Sequence, residues 1–175
     1  MKLTGCLIAI AAAAALSGCS SLISLHPFVT DQQAVFDPAL VGVWAEGGKD
    51  DLFIIRQDGK SYKIRHVQDN ETVNYTAQLY KVGDLRLLDL VSAAEDPFQI
   101  AVHTPLRVWI DGSTLRFATL DSDWLKQNAR KQLAIQDAGD RALITAPGEA
   151  VLQFLINYGA SDEAYGKPNS LQKQQ

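Results

Sequence analysis

The feature that most constrains the fold of this chain is a two-residue alternation of apolar and polar side chains. In one example, Tyr62, Ile64 and His66 fall on one side of an extended chain, opposite three polar residues. Four segments show this pattern, at 60–66, 72–80, 106–110 and 114–117. A period of two indicates half-buried antiparallel strands, because successive side chains of a strand point to opposite faces of the sheet.

Turn signals separate the alternating segments. Asp58-Gly59 and Asp111-Gly112 each lie between two apolar runs, and Val82-Gly83-Asp84 predicts a third turn. An Asp-Gly pair favours a tight hairpin, since glycine supplies the positive φ angle that the turn demands. Further apolar runs lie at 41–45, 51–57, 84–91 and 98–103. Together these signals predict about eight strands between 41 and 120, a number and spacing typical of an antiparallel, meandering barrel or a strongly curved sheet.

The period changes after residue 120. Residues 121–132 predict a helix capped by Asp121 or Ser122, and 133–145 predict a short hairpin. Pro147 to Gly159 predicts a second helix, with Thr145 as its cap. The predicted fold class is therefore mainly β with two C-terminal helices, in one β-rich domain at 38–165. We expect the polar tail at 166–175 to be disordered.

An apolar run from Leu3 to Leu16 follows Lys2 near the N-terminus. Its 14 residues would form a helix of about 21 Å. This is shorter than the about 30 Å of a bilayer's hydrocarbon core, and the length is typical of an export signal. The alternatives are an ordinary cleaved secretory signal and a site of lipid attachment.

The end of this run, Leu16-Ser17-Gly18-Cys19, resembles the lipobox of bacterial lipoproteins. The resemblance implies a signal peptide at 1–18 and a lipidated Cys19 followed by a tether through residue 37. Because Ser20 follows the cysteine, it also implies a location in the bacterial cell envelope, on the periplasmic face of the outer membrane. Membrane attachment would then depend on the acyl chains.

Cysteine content and charge exclude several classes of site. Cys6 and Cys19 are the two cysteines, and both lie at the N-terminus, so the predicted domain has no disulfide and no Cys/His cluster for zinc. The formal net charge is −4, without a basic block that could neutralise phosphates. We therefore expect no metal, no cofactor and no nucleic-acid partner.

The segment Leu40-Val41-Gly42-Val43-Trp44 resembles the G-x-W signature in the first strand of lipocalin-like barrels. The resemblance implies that Trp44 packs across a closed end of the barrel and that the interior holds a small apolar ligand. The segment LITAPGEAVLQFL, at 143–155, is similar to the shared tail of a group of uncharacterised bacterial lipoproteins. That second resemblance implies no activity.

Three residues are candidates for ligand binding: His103, Trp109 and Tyr62. His103 precedes Thr104-Pro105 and is either a polar contact at a barrel mouth or a hydrogen-bonded histidine at a strand end. Trp109 is either exposed on a sheet face or buried beneath the helix that carries Trp124. We interpret His66 as a partly buried, hydrogen-bonded histidine. We interpret Asp89, Glu95 and Asp96 as a solvated loop rather than as paired catalytic carboxylates.

Three kinds of function remain open at this point. A binding module would hold an apolar ligand in the barrel, whereas an interaction or scaffold protein would have a packed barrel and an exposed apolar patch. An enzyme would need convergent titratable groups, and the sequence contains neither a G-x-S-x-G turn nor a glycine-rich phosphate loop. We expect a non-enzymatic, lipid-anchored envelope protein without catalytic residues. Its partners would be the membrane and either a small apolar molecule or an envelope protein.

Overall fold

A computed structural model of the protein describes residues 22–47, 51–69, 71–92, 100–138 and 141–174. The predicted leader and Cys19 lie outside these ranges. The strands of the described part are β1 (Leu22–Ser24), β2 (Gly42–Ala45), β3 (Asp51–Asp58), β4 (Ser61–Gln68), β5 (Glu71–Val82), β6 (Leu85–Ser92), β7 (His103–Asp111), β8 (Thr114–Thr119), β9 (Ile135–Ala138), β10 (Arg141–Ile144) and β11 (Asn169–Lys173). The helices are α1 (Ser122–Asn128) and α2 (Gly148–Tyr158), with short 3-10 turns at Pro38–Leu40 and Asp162–Ala164.

Eight of these strands form a closed antiparallel barrel. Strands β2 to β8 follow one another as a meander, β11 pairs with both β2 and β8, and β6 pairs with β7. Strands β1, β10 and β9 extend the sheet outward from the start of β7. The predicted fold class, mainly β with an antiparallel barrel and two helices, is confirmed.

The registers of the strand pairs determine the width of the barrel. If the paired residues are followed from strand to strand once around the barrel, the path returns to β2 at a position twelve residues from where it started. This offset, the shear, tilts the strands against the barrel axis, and a larger shear at a fixed number of strands gives a wider barrel. Barrels of about eight strands with a shear of about eight are filled by their own side chains. The larger shear here therefore leaves more interior volume to fill.

Three hairpin turns have the predicted glycines. Gly59, Gly83 and Gly112 have φ angles of 62°, 57° and 57° and join β3 to β4, β5 to β6 and β7 to β8. An L-residue with a side chain adopts this left-handed region only with strain, so glycine is favoured at each of these turns. The hairpin predictions at these positions are confirmed.

The barrel wall separates two hydrophobic cores. The interior core contains Leu40, Trp44, Ile55, Tyr62, Ile64, Ala77, Leu79, Leu88, Leu90, Leu106, Val108, Leu115 and Leu171. The outer core lies between the wall and α1, α2 and the N-terminal segment. Strand β6 contributes to both, with Leu88 and Leu90 facing inward and Leu85 and Leu87 facing outward. Burial on both faces explains why apolar residues are adjacent in β6, as at Leu87-Leu88 and Leu90-Val91, instead of alternating with polar ones.

Both ends of the predicted domain need correction. Residues 169–173, expected to be disordered, form barrel strand β11, because Leu171 is buried in the interior and the backbone pairs on both sides. The region through residue 37, expected to be a tether, is ordered from Leu22: β1 pairs in parallel with β10, and Val35 forms a bridge with Leu79. Seven barrel strands, rather than about eight, lie between 41 and 120 in the described part.

Both predicted helices form, but α1 ends at Asn128 rather than at residue 132, and the cap of α2 differs from the prediction. The Asp121 carboxylate accepts hydrogen bonds from the backbone N–H groups of Asp123 and Trp124, as an N-cap does. Thr145 does not cap α2, whose N-cap is Pro147, and its hydroxyl donates instead to the Ala134 carbonyl. Neither helix, nor any other in the described ranges, is long and apolar enough to cross a membrane.

We expect Leu171→Ala to lower the free energy of unfolding by about 2–5 kcal/mol, as truncation of a buried leucine does. The side chain is 2% exposed and belongs to the strand that closes the barrel. Ser170→Ala on the same strand is the control, because its side chain is exposed and the change should stay within about 0.5 kcal/mol. Urea unfolding followed by circular dichroism measures both, and equal stability of the two variants would contradict a closing role for β11.

Candidate functional site

One end of the barrel is covered by the chain segment at 35–40. Val35 donates a backbone hydrogen bond to Leu79 at 2.9 Å, and Asp37 donates its N–H to the Tyr62 hydroxyl at 2.7 Å. The fully buried Trp44 then donates its indole N–H to the Leu40 carbonyl at 2.8 Å. Since these bonds reach β5, β4 and β2 in turn, the segment lies across the barrel interior. We call this the closed end.

The G-x-W segment has a physical basis at the closed end. The Lys173 ammonium lies 5.1 Å from the centre of the Trp44 ring, a distance suited to a cation–π contact. A Cβ atom on Gly42, whose φ is +147°, would lie 2.7 Å from Lys173 Cε. Glycine at 42 therefore leaves room for the lysine of β11 to reach the tryptophan of β2, which ties together the two strands that complete the barrel.

An apolar cavity of about 60 Å³ lies in the barrel interior. Its walls come from β3 to β8, β11 and the closed end. Its lining residues are Leu40, Phe53, Ile55, Ile64, Tyr75, Leu88, Leu90, Leu106, Val108, Leu115, Phe117 and Leu171. Eleven of these twelve have no polar side-chain atom, so the described walls offer an apolar ligand almost no polar group to desolvate.

The end of the cavity opposite the closed end is marked by three aromatic side chains. Phe53, Tyr75 and Phe117 are half-buried, whereas the aliphatic lining residues are buried. Each lies near the strand ends that face away from the segment at 35–40: Tyr75 pairs with Ser92 and Phe117 with Asn169. Burial raises the pKa of the Tyr75 hydroxyl above its ordinary value. We call this the aromatic end.

A buried histidine and aspartate form a pair at the aromatic end. His66 Nε2 lies 2.5 Å from Asp51 Oδ1, and the two residues are 6% and 3% exposed. Both side chains face the interior, since His66 follows the inward-facing Ile64 by two residues and Asp51 precedes the inward-facing Phe53 by two. The Phe53 ring stacks on the imidazole with centroids 4.1 Å apart and planes at 8°. The expectation of a hydrogen-bonded His66 is confirmed.

A second histidine–aspartate pair lies on the outer face of the barrel wall. His103 Nδ1 is 2.8 Å from Asp89 Oδ1, and Asp89 Oδ2 accepts the backbone N–H of Phe28 at 3.1 Å. The interpretation of Asp89 as part of a solvated loop is wrong, because it lies in β6 and is 3% exposed. Glu95 and Asp96 lie outside the described residues. The interpretation of His103 as a hydrogen-bonded histidine at a strand end is confirmed.

Trp109 also lies on the outer face. Its ring packs against the outer core, meets the Tyr165 ring edge-on at 6.3 Å, and carries the Arg107 guanidinium 4.5 Å from its centre. It is half-buried, and within the described residues its ring stands against Tyr165, in the segment after α2, rather than against the helix that carries Trp124. Trp124 instead packs against Phe154 and Tyr158 of α2.

The three residues predicted to bind a ligand do not come together. Tyr62 is buried at the closed end, while His103 and Trp109 belong to the outer face, and none of the three is among the described residues that line the cavity. Sequence reasoning missed Phe53 and Asp51, because the run at 51–57 was treated only as an apolar strand. A strand alternation starting at Asp51 would have placed Asp51, Phe53 and Ile55 on one face.

The described residues contain no metal-binding cluster, and the comparisons with known proteins found no match. Within the described ranges, no group of three or more His, Cys, Asp or Glu side chains is arranged to hold a metal ion. No protein-family model matches the chain, and neither the curated proteins nor the solved structures include a match. The candidate site therefore rests on its own geometry, an apolar cavity with a polar pair at its aromatic end.

We expect the stability of the protein to fall between about pH 10 and pH 12 because of Tyr165. Burial raises the pKa of its hydroxyl to about 12, with the charge of Arg107 opposing part of the shift. The unfolded chain loses this proton near pH 10, so the stability contribution is complete below pH 10 and is lost as the pH rises toward 12. A shift of two pKa units corresponds to at most about 2.7 kcal/mol.

The variant Tyr165→Phe should reduce the alkaline loss of stability, while the part that comes from Tyr62 and Tyr75, whose pKa values burial also raises, should remain. At pH 8 it should be as stable as the native protein or more stable, since the Tyr165 hydroxyl is buried with no hydrogen-bond partner in the described part of the chain. Urea unfolding at pH 8 and pH 11.5 tests both statements. Tyr158→Phe is the control, because the Tyr158 hydroxyl accepts a hydrogen bond from exposed Gln132, and this variant should keep the alkaline loss.

Proposed function

We propose that this protein is a lipid-anchored lipoprotein of the bacterial cell envelope that binds a small apolar molecule in a lipocalin-like barrel, without enzymatic activity. The apolar cavity of about 60 Å³ is the observation that supports binding. An ordered water needs two to four polar partners, and these walls offer almost none, so an apolar ligand would displace no tightly bound water. The expected ligand is therefore uncharged over the part that occupies the cavity.

The size of the cavity limits the ligand. Its volume is about 60 Å³, whereas a cavity of about 150 Å³ holds benzene. A slender alkyl chain suits this space better than a ring, because a chain needs less width at any point. The half-buried Phe53, Tyr75 and Phe117 mark the end at which the remainder of such a ligand would lie. We therefore favour a short-chain molecule, or the end of a longer chain.

The lipid anchor is supported by the Leu16-Ser17-Gly18-Cys19 segment. Because β1 begins at Leu22, three residue steps separate it from Cys19. Three extended residues span at most about 10 Å. Since β1 adjoins the start of β7, a lipid on Cys19 would hold this side of the barrel close to the bilayer, where apolar molecules are concentrated.

We expect Cys19→Ala to release the protein from the membrane, because the thiol that would carry the lipid is gone. Fractionation of cells expressing the native chain or the variant, with intact mass measurement of each, tests this. The native chain should be found in the membrane fraction with an added acyl mass on its N-terminal cysteine. Ser20→Ala is the control and should stay in the membrane. A variant that keeps both membrane attachment and length would contradict the lipid anchor.

We expect Val108→Phe to weaken binding in the cavity by about tenfold or more, because the larger ring fills the space. The variant should also lose about 1–3 kcal/mol of stability through overpacking. Val43→Phe is the matched control, since Val43 is exposed on the outside of β2. Titration of the purified full chain with 1-methoxypentane, followed by the NMR shifts of leucine and valine methyl groups, measures binding. Native chain that does not respond to this probe would contradict the proposal.

The dense packing of side chains at the closed end supports a second function. Trp44, Tyr62 and Leu79 are almost fully buried at the closed end. A packed barrel of this kind would serve as a scaffold that contacts other envelope proteins. In that case the methyl groups around Val108 would not respond to any apolar probe, and Val108→Phe would affect stability alone.

A further inference from the structure

A buried polar pair adjoins the otherwise apolar interior of the barrel. We propose that the His66–Asp51 pair recognises the hydroxyl group of a small aliphatic alcohol whose alkyl chain occupies the cavity. This inference rests on the proposed binding function and adds the chemical class of the ligand. It assigns a role to His66 and Asp51, whose side chains are not among those that line the cavity.

The position of the pair suits the end of a bound chain. Ile64 and Phe53 line the cavity, and His66 and Asp51 each lie two residues beyond one of them on the same strand face. Two residues of a strand span about 7 Å. An alkyl chain of about five or six carbons seated in the cavity would therefore bring its terminal group to the level of the pair.

The hydrogen bond to Asp51 determines what His66 can offer. A carboxylate only accepts hydrogen bonds, so His66 Nε2 must carry the proton that it shares with Asp51 Oδ1. In a neutral imidazole with this tautomer, Nδ1 is an acceptor. A ligand hydroxyl can donate to it, whereas an ether oxygen cannot.

The charge of the pair disfavours an anionic ligand. A carboxylate beside a neutral imidazole has a net charge of −1, and beside an imidazolium it has none. Asp69, which follows β4, and Glu71, the first residue of β5, are both exposed and add negative charge at the same end of these strands. A fatty-acid carboxylate would therefore meet repulsion or no net attraction. An ammonium group would be attracted, but it would have to give up its strong hydration to reach side chains that are 8% and 5% exposed, and we expect this cost to exceed the attraction. A neutral hydroxyl has neither penalty.

The surroundings of the pair make it rigid and poorly hydrated. Phe53 stacks nearly parallel on the imidazole at 4.1 Å, so it both lines the cavity and fixes the plane of the ring. His66 retains 8% of its side-chain surface exposed and Asp51 retains 5%. A hydrogen bond in such largely buried surroundings is stronger than one in open water.

Four probes with the same short chain test the assignment. 1-Hexanol and 1-methoxypentane are isomers with equal numbers of heavy atoms, and only the alcohol donates a hydrogen bond. Hexanoate and hexylammonium carry the opposite charges. We expect the native full chain to bind hexanol about fivefold more tightly than the ether, as one net hydrogen bond provides, and to bind hexanoate most weakly. Methyl NMR titrations measure all four dissociation constants in one buffer.

Variants separate recognition of the hydroxyl from binding of the chain. In the double variant His66→Phe with Asp51→Leu, both partners become apolar, so no charge is left buried alone. It should bind the ether as the native chain does and lose the preference for hexanol. His103→Phe, at the pair on the outer face, is the control and should keep that preference. Urea unfolding of each variant establishes that it is folded under the titration conditions.

The outcomes distinguish the two proposals. If none of the four probes binds, the proposed function fails and this inference fails with it. If the ether and hexanol bind equally well to the native chain, the cavity binds chains but the pair does not recognise the hydroxyl. A preference for hexylammonium over hexanol, or a hexanol preference that survives in the double variant, would also overturn the assignment.

Discussion

The structure depends on the closure of the barrel by β11. This strand is short and largely polar, yet its backbone bonds to β2 on one side and to β8 on the other, and Leu171 enters the interior. Without it, two neighbouring strands would expose unpaired edges, and the interior core would open between them. Lys173 adds a contact with the Trp44 ring through the space left by Gly42. The last strand of the chain thus stabilises the first strand of the barrel and its tryptophan.

Closure with this register also explains why an interior cavity exists. The shear is larger than the number of strands, so the barrel is wider than one that its own side chains fill. The segment at 35–40, Trp44 and Tyr62 fill the closed end, and the remaining space is a small apolar cavity toward the aromatic end. The cavity therefore results from backbone geometry as well as from side-chain choice, and small changes of side-chain volume decide whether it can hold a ligand.

The meander of hairpins was predictable from local sequence signals, whereas the position of β11 depends on contacts with residues far away in the sequence. Alternation at 60–66 and glycines 59, 83 and 112 define hairpins between neighbouring segments, which need no information from the rest of the chain. Strand β11 has one apolar residue, Leu171, and its partners lie far away in sequence, so no local pattern distinguishes it from a polar tail. The error at Asp89 has a different cause, because the local sequence contains a signal. Asp89 lies between Leu87-Leu88 and Leu90-Val91, and an acidic residue with apolar neighbours on both sides is typical of a buried, paired carboxylate on a strand covered on both faces.

The two histidine–aspartate pairs differ in what they accomplish for the fold. Asp89 accepts a backbone N–H from Phe28 as well as bonding to His103, so it attaches the N-terminal segment to the barrel wall. For this pair, the attachment of the N-terminal segment offsets part of the free-energy cost of burying polar groups. Asp51 and His66 bond to each other at the edge of an apolar interior, and two packed apolar residues would stabilise that position as well or better. The pair at the aromatic end thus has no such structural role among the described contacts, and this difference is the reason for proposing His66 and Asp51, rather than His103 and Asp89, as the polar group that meets a ligand.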